Sequence, residues 1–204
     1  MSAVQLLPVF LKLRYRKVVL VGGGRVAAAK LEGLLAAGAD VTVVAPHIDG
    51  RIREAAVALV TRAFTPTDLD GAWLVVAAAP PDVNRDVRAA AEARRIFVNA
   101  VDDPDSASAF LGGVFRRGPV TVAVSTGGAA PALSGLLREA LEAVVPDDVE
   151  EWVREARALR RQQRADGVPL LARRPLLLRR LNELYSEEED DVFEAPALDG
   201  TLRR

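Results

Sequence analysis

Asn99-Ala100-Val101-Asp102-Asp103-Pro104 and Ser125-Thr126-Gly127-Gly128 hold the side chains of this chain best suited to chemistry. Gly22-Gly23-Gly24 offers the backbone best suited to holding a ligand. A carboxylate such as Asp102, placed where a strand ends, can take or position a proton while a hydride leaves for a cofactor. Asp-Asp-Pro is equally ordinary Asx-turn material, and residue types alone leave both readings open. Ser125–Gly128 follows a strand and precedes a helix beginning at Pro131, so it reads either as a second anion cradle or as a tight packing loop. A serine nucleophile wants a histidine, and the single histidine, His47, stands just past the second strand, which makes a triad a poor reading. With no cysteine and one histidine, thiolate and histidine-rich metal sites are excluded.

The glycine turn gains meaning from its flanks. Val18-Val19-Leu20-Val21 is an apolar strand, and Arg25-Val26-Ala27-Ala28-Ala29-Lys30 opens a helix. In this G-x-G-x-x-A pattern Gly22 permits the tight turn and Gly24 the close approach of a pyrophosphate. Ala27 lets helix and strand pack closely. The free amides of the helix start then face the phosphates, aided by the helix dipole. The acid expected to hold a ribose 2′-OH at the end of the second strand is missing, since Ala45-Pro46 stands there. Residues alone therefore leave NAD and NADP both open.

Hydrophobic periodicity supplies the elements that place these groups. Strands are predicted at 17–21, 40–45, 59–63, 73–79 and 96–100, with helices at 25–37, 49–58 and 82–95. That order makes a Rossmann-like α/β fold, a doubly wound parallel sheet. Its ligands belong at the carboxyl ends of the strands, where Gly22–Val26, Ala78 and Asn99–Asp102 all project. Two further strands, 107–115 and 119–124, joined by Arg116-Arg117-Gly118, suggest antiparallel pairing. A helix at 131–145 carries Leu133, Leu136, Leu137, Ala140, Leu141 and Val144 on one face. Asp147 and Glu150 have capping-box spacing for the next helix. Gly167-Val168-Pro169 breaks that helix, and Pro175 suits the first turn of a last one ending near Tyr185. The expected divisions are 1–112 for the sheet domain, 113–146 for a small α+β segment, 147–185 for a helical region and 186–204 for a mobile acidic tail.

Half of the 204 residues are apolar, no run is long enough to span a membrane, and no secretory leader is visible, so a cytoplasmic globular protein is expected. The net charge of −1 conceals segregation. Nine arginines lie between Val153 and Arg180, and seven acidic residues lie between Glu183 and Glu194. This suggests an anionic ligand, pairing between the two segments, or simply a solvated arginine-rich face. Nucleic acid is a poor partner, because the sheet half offers no basic surface and the tail is acidic.

With these pieces in order, the chain resembles the siroheme-synthase dehydrogenase family, the precorrin-2 dehydrogenases that sometimes also act as sirohydrochlorin ferrochelatases. The likeness rests on Leu7-Pro8-Val9-Phe10-Leu11-Lys12-Leu13-Arg14, Val21–Ala27 with Lys30, and Val41–Pro46. Asn99–Pro104 and Val122–Gly128 with Pro131 complete it, over roughly residues 5–145. The resemblance implies NAD as cofactor, held by Gly22, Gly23, Gly24, Arg25, Val26, Ala45, Pro46, Ala78 and Asn99. It implies oxidation of precorrin-2 to sirohydrochlorin with Asp102 as the essential carboxylate, which in a chelatase also holds Fe²⁺ briefly. It further implies a homodimer built largely from the second half.

The substrate so implied is a polycarboxylate macrocycle. Arg116, Arg117 and Arg138 can supply bidentate contacts to it, beside Ser125, Thr126 and Gly127. Departures stand at Ala79-Pro80-Pro81, where the family usually has Thr or Ser and then acids, at Gly112, where a proline is common nearby, and at Ala130-Pro131 in place of Ser-Pro. A non-catalytic NAD(H) sensor is the competing expectation; it needs neither Asp102 nor the arginines.

Overall fold

The computed structural model describes residues 5–192, with side chains as far as Glu183. Five parallel strands form one sheet: β1 (Lys17–Val21), β2 (Asp40–Val44), β3 (Ala58–Val60), β4 (Leu74–Ala77) and β5 (Phe97–Ala100), in the order β3-β2-β1-β4-β5. Helices α1 (Arg25–Ala36), α2 (Gly50–Arg53) and α3 (Pro81–Ala93) make the crossovers. Chain direction therefore reverses its spread between β1 and β4, and this switch point opens the crevice in which such sheets bind ligands.

The strands are mostly apolar because both faces are covered. Side chains alternate across the sheet. Val18 and Leu20 pack with Ala27, Leu31, Leu34, Val43 and Ile52 on one face. Val19 and Val21 pack with Leu69, Val75, Val87 and Ala91 on the other. α1 ends as its sequence requires, with Gly38 at φ +72° just beyond.

Past β5 the expected strand at 107–115 is mostly absent; β6 runs only from Gly113 to Arg117. The reason is local. A 3₁₀ turn at Pro104–Ser106 redirects the chain, and residues 108–109 fold back on β5. There the Ser108 and Ala109 amides both reach the Val98 carbonyl, and Ser108 Oγ accepts from the Val98 amide at 2.9 Å. The segment is spent covering the sheet edge. β6 pairs with β7 (Val120–Val124) through a shorter turn than expected: Arg116 and Arg117 belong to the strand, and Gly118, at φ +51°, makes the reversal.

By internal packing the chain divides into two units, residues to Val114 with Ala123–Glu139, and Phe115–Val122 with the residues from Ala140 onward. The sheet, its helices and the first part of α4 (Pro131–Val144) belong to the first. The second holds α5 (Val149–Ala165) and α6 (Leu170–Val192), tied by Arg180 Nε donating to Glu155 at 3.3 Å.

Three details here differ from expectation. Asp148, not Asp147, precedes α5, and it makes no side-chain cap; Asp147 pairs instead with Arg117 at 3.4 Å. Pro175 lies inside α6 rather than in its first turn, so the Leu171 carbonyl has no amide to receive. Residues 186–192 of the expected mobile tail continue α6 as helix, and 193–204 lie outside the described residues. Among the described residues no helix is long and apolar enough to cross a membrane.

Candidate active site

Two of the three glycines after β1 are required by the backbone around them, and the third is not. Gly22 adopts φ +125°, and a Cβ there would strike the carbonyl oxygen of Ala78. A Cβ on Gly23 would strike the carbonyl oxygen of His47, and the Gly23 carbonyl accepts from the Asp49 amide at 2.7 Å. Gly24 has nothing within 4 Å of its hypothetical Cβ. Two glycines thus serve the protein's own backbone, and the third opens onto free space at the start of α1. Arg25 and Val26 are exposed there, while Ala27 is wholly buried against the sheet. The first-turn amides of a helix have no partners within it, so this turn fits a pyrophosphate without rearrangement. The tight turn expected at Gly22 is present, with φ +125°; the sequence offers no sign that the carbonyl of His47, from another strand's end, is what excludes a side chain at Gly23.

The walls of the turn come from β2 and β4. Ala45 is buried against Gly23, with Pro46 following it, and the Ala78 amide bonds the Val21 carbonyl at 2.8 Å. Asp49 is occupied as the cap of α2. Its carboxylate accepts from the Arg51 amide at 3.0 Å and from Arg51 Nε at 3.1 Å, bonds that hold its pKa below the ordinary range. The Ala79-Pro80-Pro81 departure is bridged by Asn84, buried in α3, whose Oδ1 accepts the Ala79 amide at 3.1 Å.

At the carboxyl end of β5 lies a cavity of about 310 Å³. Asn99, Asp102 and Asp103 form one wall, Phe110–Gly113 another, and Ser125, Thr126, Gly128 and Ser134 a third; Lys30 of α1 closes it. Its volume sits at the small end of ligand pockets, about 300–1,000 Å³, so a large macrocycle would be held by one part. Val101 extends the sheet by donating to the Ala77 carbonyl, and the next residue, Asp102, turns into left-handed backbone at φ +58°. Such a conformation costs a non-glycine residue about 1–3 kcal/mol, least for Asp and Asn. Asp103 instead caps the following 3₁₀ turn through the Ser106 amide at 3.2 Å. The two adjacent carboxylates therefore divide their work: Asp103 holds the loop, and Asp102 is left exposed at the cavity.

Asn99 is buried, and its amide orientation is set by Nδ2 donating to the Ala109 carbonyl at 2.9 Å. Its Oδ1 is buried without a hydrogen-bond partner. Thr126 Oγ1 accepts the Ala130 amide at 3.1 Å and lies 3.0 Å from Ser134 Oγ, so that hydroxyl holds the start of α4. Ser125 Oγ accepts the Gly127 amide at 3.1 Å. Gly127 is not part of the lining; Gly128, at φ +81° against Pro104 and Phe110, is.

The three arginines expected at the substrate do not line this cavity. Arg138 pairs with Glu139 at 2.9 Å, Arg117 with Asp147, and Arg116 lies with Arg117 in the second unit. Sequence reasoning gave no role to Lys30 or Ser134. Lys30 carried a signal, being one of three lysines in the chain. Among the described residues no group of three or more His, Cys, Asp or Glu is placed to hold a metal ion.

A five-stranded parallel sheet with a glycine turn at its switch point defines a dinucleotide-binding domain of the Rossmann type. The chain belongs to the family described as "Putative NAD(P)-binding", whose model matches residues 9–113; a second model, "Sirohaem biosynthesis protein central", matches residues 117–143. Siroheme synthase 2 of Cronobacter sakazakii is 42% identical over 173 residues, 82% of this chain and 38% of that protein. Siroheme synthase of Citrobacter koseri is 45% identical over 159 residues, 76% of this chain and 35% of that protein. The chain thus spans less than two-fifths of the length of these relatives. A solved structure of SirC, precorrin-2 dehydrogenase, superposes with a TM-score of 0.66 at 26% identity, covering 85% of this chain and 88% of that one. The resemblance read from the sequence therefore stands, and the cofactor class it brings is the nicotinamide dinucleotide.

Proposed function

We propose that the chain catalyses NAD-dependent dehydrogenation of precorrin-2 to sirohydrochlorin, in siroheme biosynthesis. The observation that carries this reading is Asp102, exposed in left-handed backbone on a ligand-sized cavity, at the same end of the sheet as the open Gly24 turn. Gly22, Gly23, Gly24, Arg25 and Val26, with Ala45, Pro46 and Ala78 behind them, hold the cofactor. When bound, NAD supplies the hydride acceptor. A ring C–H leaves as hydride, and one proton must also leave the macrocycle; the Asp102 carboxylate takes it and passes it to water. Ser125 and the loop through Gly128 bound the substrate on the opposite wall.

Two extensions belong to the same reading. Fe²⁺ insertion, with Fe²⁺ as second substrate, would use the Asp102 carboxylate to accept pyrrole protons and to ligate the metal in passing. Homodimerisation through 113–146 is supported by α4, where Leu136 is 64% and Val144 78% exposed together with Leu133, Leu137 and Leu141. The working division is a dinucleotide domain to residue 112, a dimerisation segment at 113–146 and a helical region beyond. A cytoplasmic setting accords with the lack of cysteine.

The test is to mix the protein with NAD⁺ and freshly made precorrin-2 and follow the absorbance spectrum, then add Fe²⁺ or Co²⁺. Conversion to sirohydrochlorin that requires NAD⁺ is expected. Tight NAD⁺ binding without conversion would leave only a non-catalytic sensor.

A further inference from the structure

The cavity beside Asp102 contains one basic side chain among its described lining residues, Lys30. It lies half-buried on α1, in the second turn after the glycines. Its neighbours one helical turn away on either side, Val26, Ala27, Gly33 and Leu34, offer no carboxylate. Among the described residues its side chain makes no ion pair or hydrogen bond, although Asp102 and Asp103 line the same cavity. Arg51, Arg62, Arg94, Arg117, Arg138 and Arg180 each hold a carboxylate, and none of them lines this cavity. An ammonium kept in a cleft without a counter-ion is poised for an anion that arrives with the ligand.

A second, independent observation says that the cavity awaits a ligand. Asn99 Oδ1 is buried there with no partner, while its own Nδ2 is fixed by Ala109. An orphaned acceptor of this kind is costly unless a donor is brought to it. An occupant that brings an N–H to Asn99, from the cofactor to which the resemblance assigns that residue or from the substrate, and an anionic group to Lys30 would satisfy both. A macrocycle with pyrrole N–H groups inside and carboxylates on its rim does both.

We propose that Lys30 is a substrate-positioning residue, pairing with a rim carboxylate of the tetrapyrrole and thereby setting which ring edge faces Asp102. This inference rests on the functional reading above. Lys30 acts on orientation and binding, and moves no proton. Its position past the first helical turn, in the lining of the Asp102 cavity, separates it from the amides that face the pyrophosphate.

The experiment compares Lys30→Met and Lys30→Arg with wild type, measuring kcat and KM for precorrin-2 and, separately, NAD⁺ affinity by calorimetry. Lys30→Met is expected to raise KM about 10- to 100-fold, the range for a lost charge-assisted hydrogen bond. Its kcat at saturation should fall as well, by about tenfold, because substrate held in other orientations does not present the reacting edge to Asp102, with NAD⁺ affinity unchanged. Lys30→Arg should recover most of the KM. An unchanged KM in Lys30→Met, or a loss of NAD⁺ affinity in its place, overturns the proposal while wild-type turnover stands. Absence of precorrin-2 turnover by the wild type overturns the functional reading and this inference with it.

Discussion

The loops that follow β1 and β5 are built on opposite principles. After β1 the chain gives up side chains: Gly22 and Gly23 are forced by neighbouring carbonyls, and Gly24 leaves bare backbone facing open space. After β5 the chain keeps a side chain at a position glycine would suit better, with Asp102 held at φ +58°. Backbone amides suffice to bind a diphosphate, so the first loop needs no functional group. In the proposed reaction proton transfer needs a carboxylate, and the second loop carries one at conformational cost. Left-handed backbone is not special to the cavity, since Tyr15 and Arg95 adopt it at φ +61° and +57° in turns elsewhere; what sets Asp102 apart is that its side chain lines the cavity.

Substitutions can break that contrast. The largest effect is expected for Asp102→Asn, which keeps the shape and the left-handed tolerance but loses the base. Turnover of precorrin-2 should fall by about 10²–10⁴-fold with NAD⁺ affinity intact, as read by steady-state kinetics and calorimetry. Gly22→Val collides with the Ala78 carbonyl in a backbone region closed to β-branched residues, so thermal unfolding should show a loss of about 3 kcal/mol or more. Gly24→Ala meets no protein atom; melting should be unchanged while NAD⁺ affinity drops about tenfold, a crowding effect on the ligand alone.

A scaffold site outside both loops provides the reference. Asp68 is held down to a pKa of about 2 by the Arg62 guanidinium at 2.6 Å. A depressed carboxylate stabilises fully above its unfolded value of 3.8, and that stability is lost as pH falls through about 2. Asp68→Asn should therefore cost about 1–2 kcal/mol at neutral pH, allowing for solvent screening, and flatten the acid limb of a stability-versus-pH curve. The smallest change in stability sharpens the comparison most. Asp102→Gly rebuilds the second loop on the principle of the first and should gain about 1 kcal/mol of stability while abolishing turnover.

How much of this could be read from the chain depended on how local the cause was. β1 matches its predicted bounds because four buried apolar residues run directly into glycine. Residues 107–112 misled because an apolar stretch that covers an edge strand has the composition of a strand. Asp147 has the spacing of a cap, but Arg117 on β6 takes its carboxylate, a competition no linear pattern displays. Pro175 fits a helix start in sequence, yet the helix had already begun after Pro169. The same rule governs the site. The Gly22–Gly24 turn is visible in a single stretch, whereas Asp102 was singled out by resemblance, its residue type being equally suited to a turn. Lys30 is part of the resemblance but takes no role from it, because the role proposed for it depends on residues 125–134 returning to line the same cavity.

The most direct test of the account is the stoichiometry of one reaction: wild-type protein, NAD⁺ and precorrin-2, with NADH and sirohydrochlorin quantified together. A hydride passing between the two loops predicts equal amounts of both products, formed only when both reactants are present. Bound NAD⁺ that yields no NADH when precorrin-2 is added would contradict it.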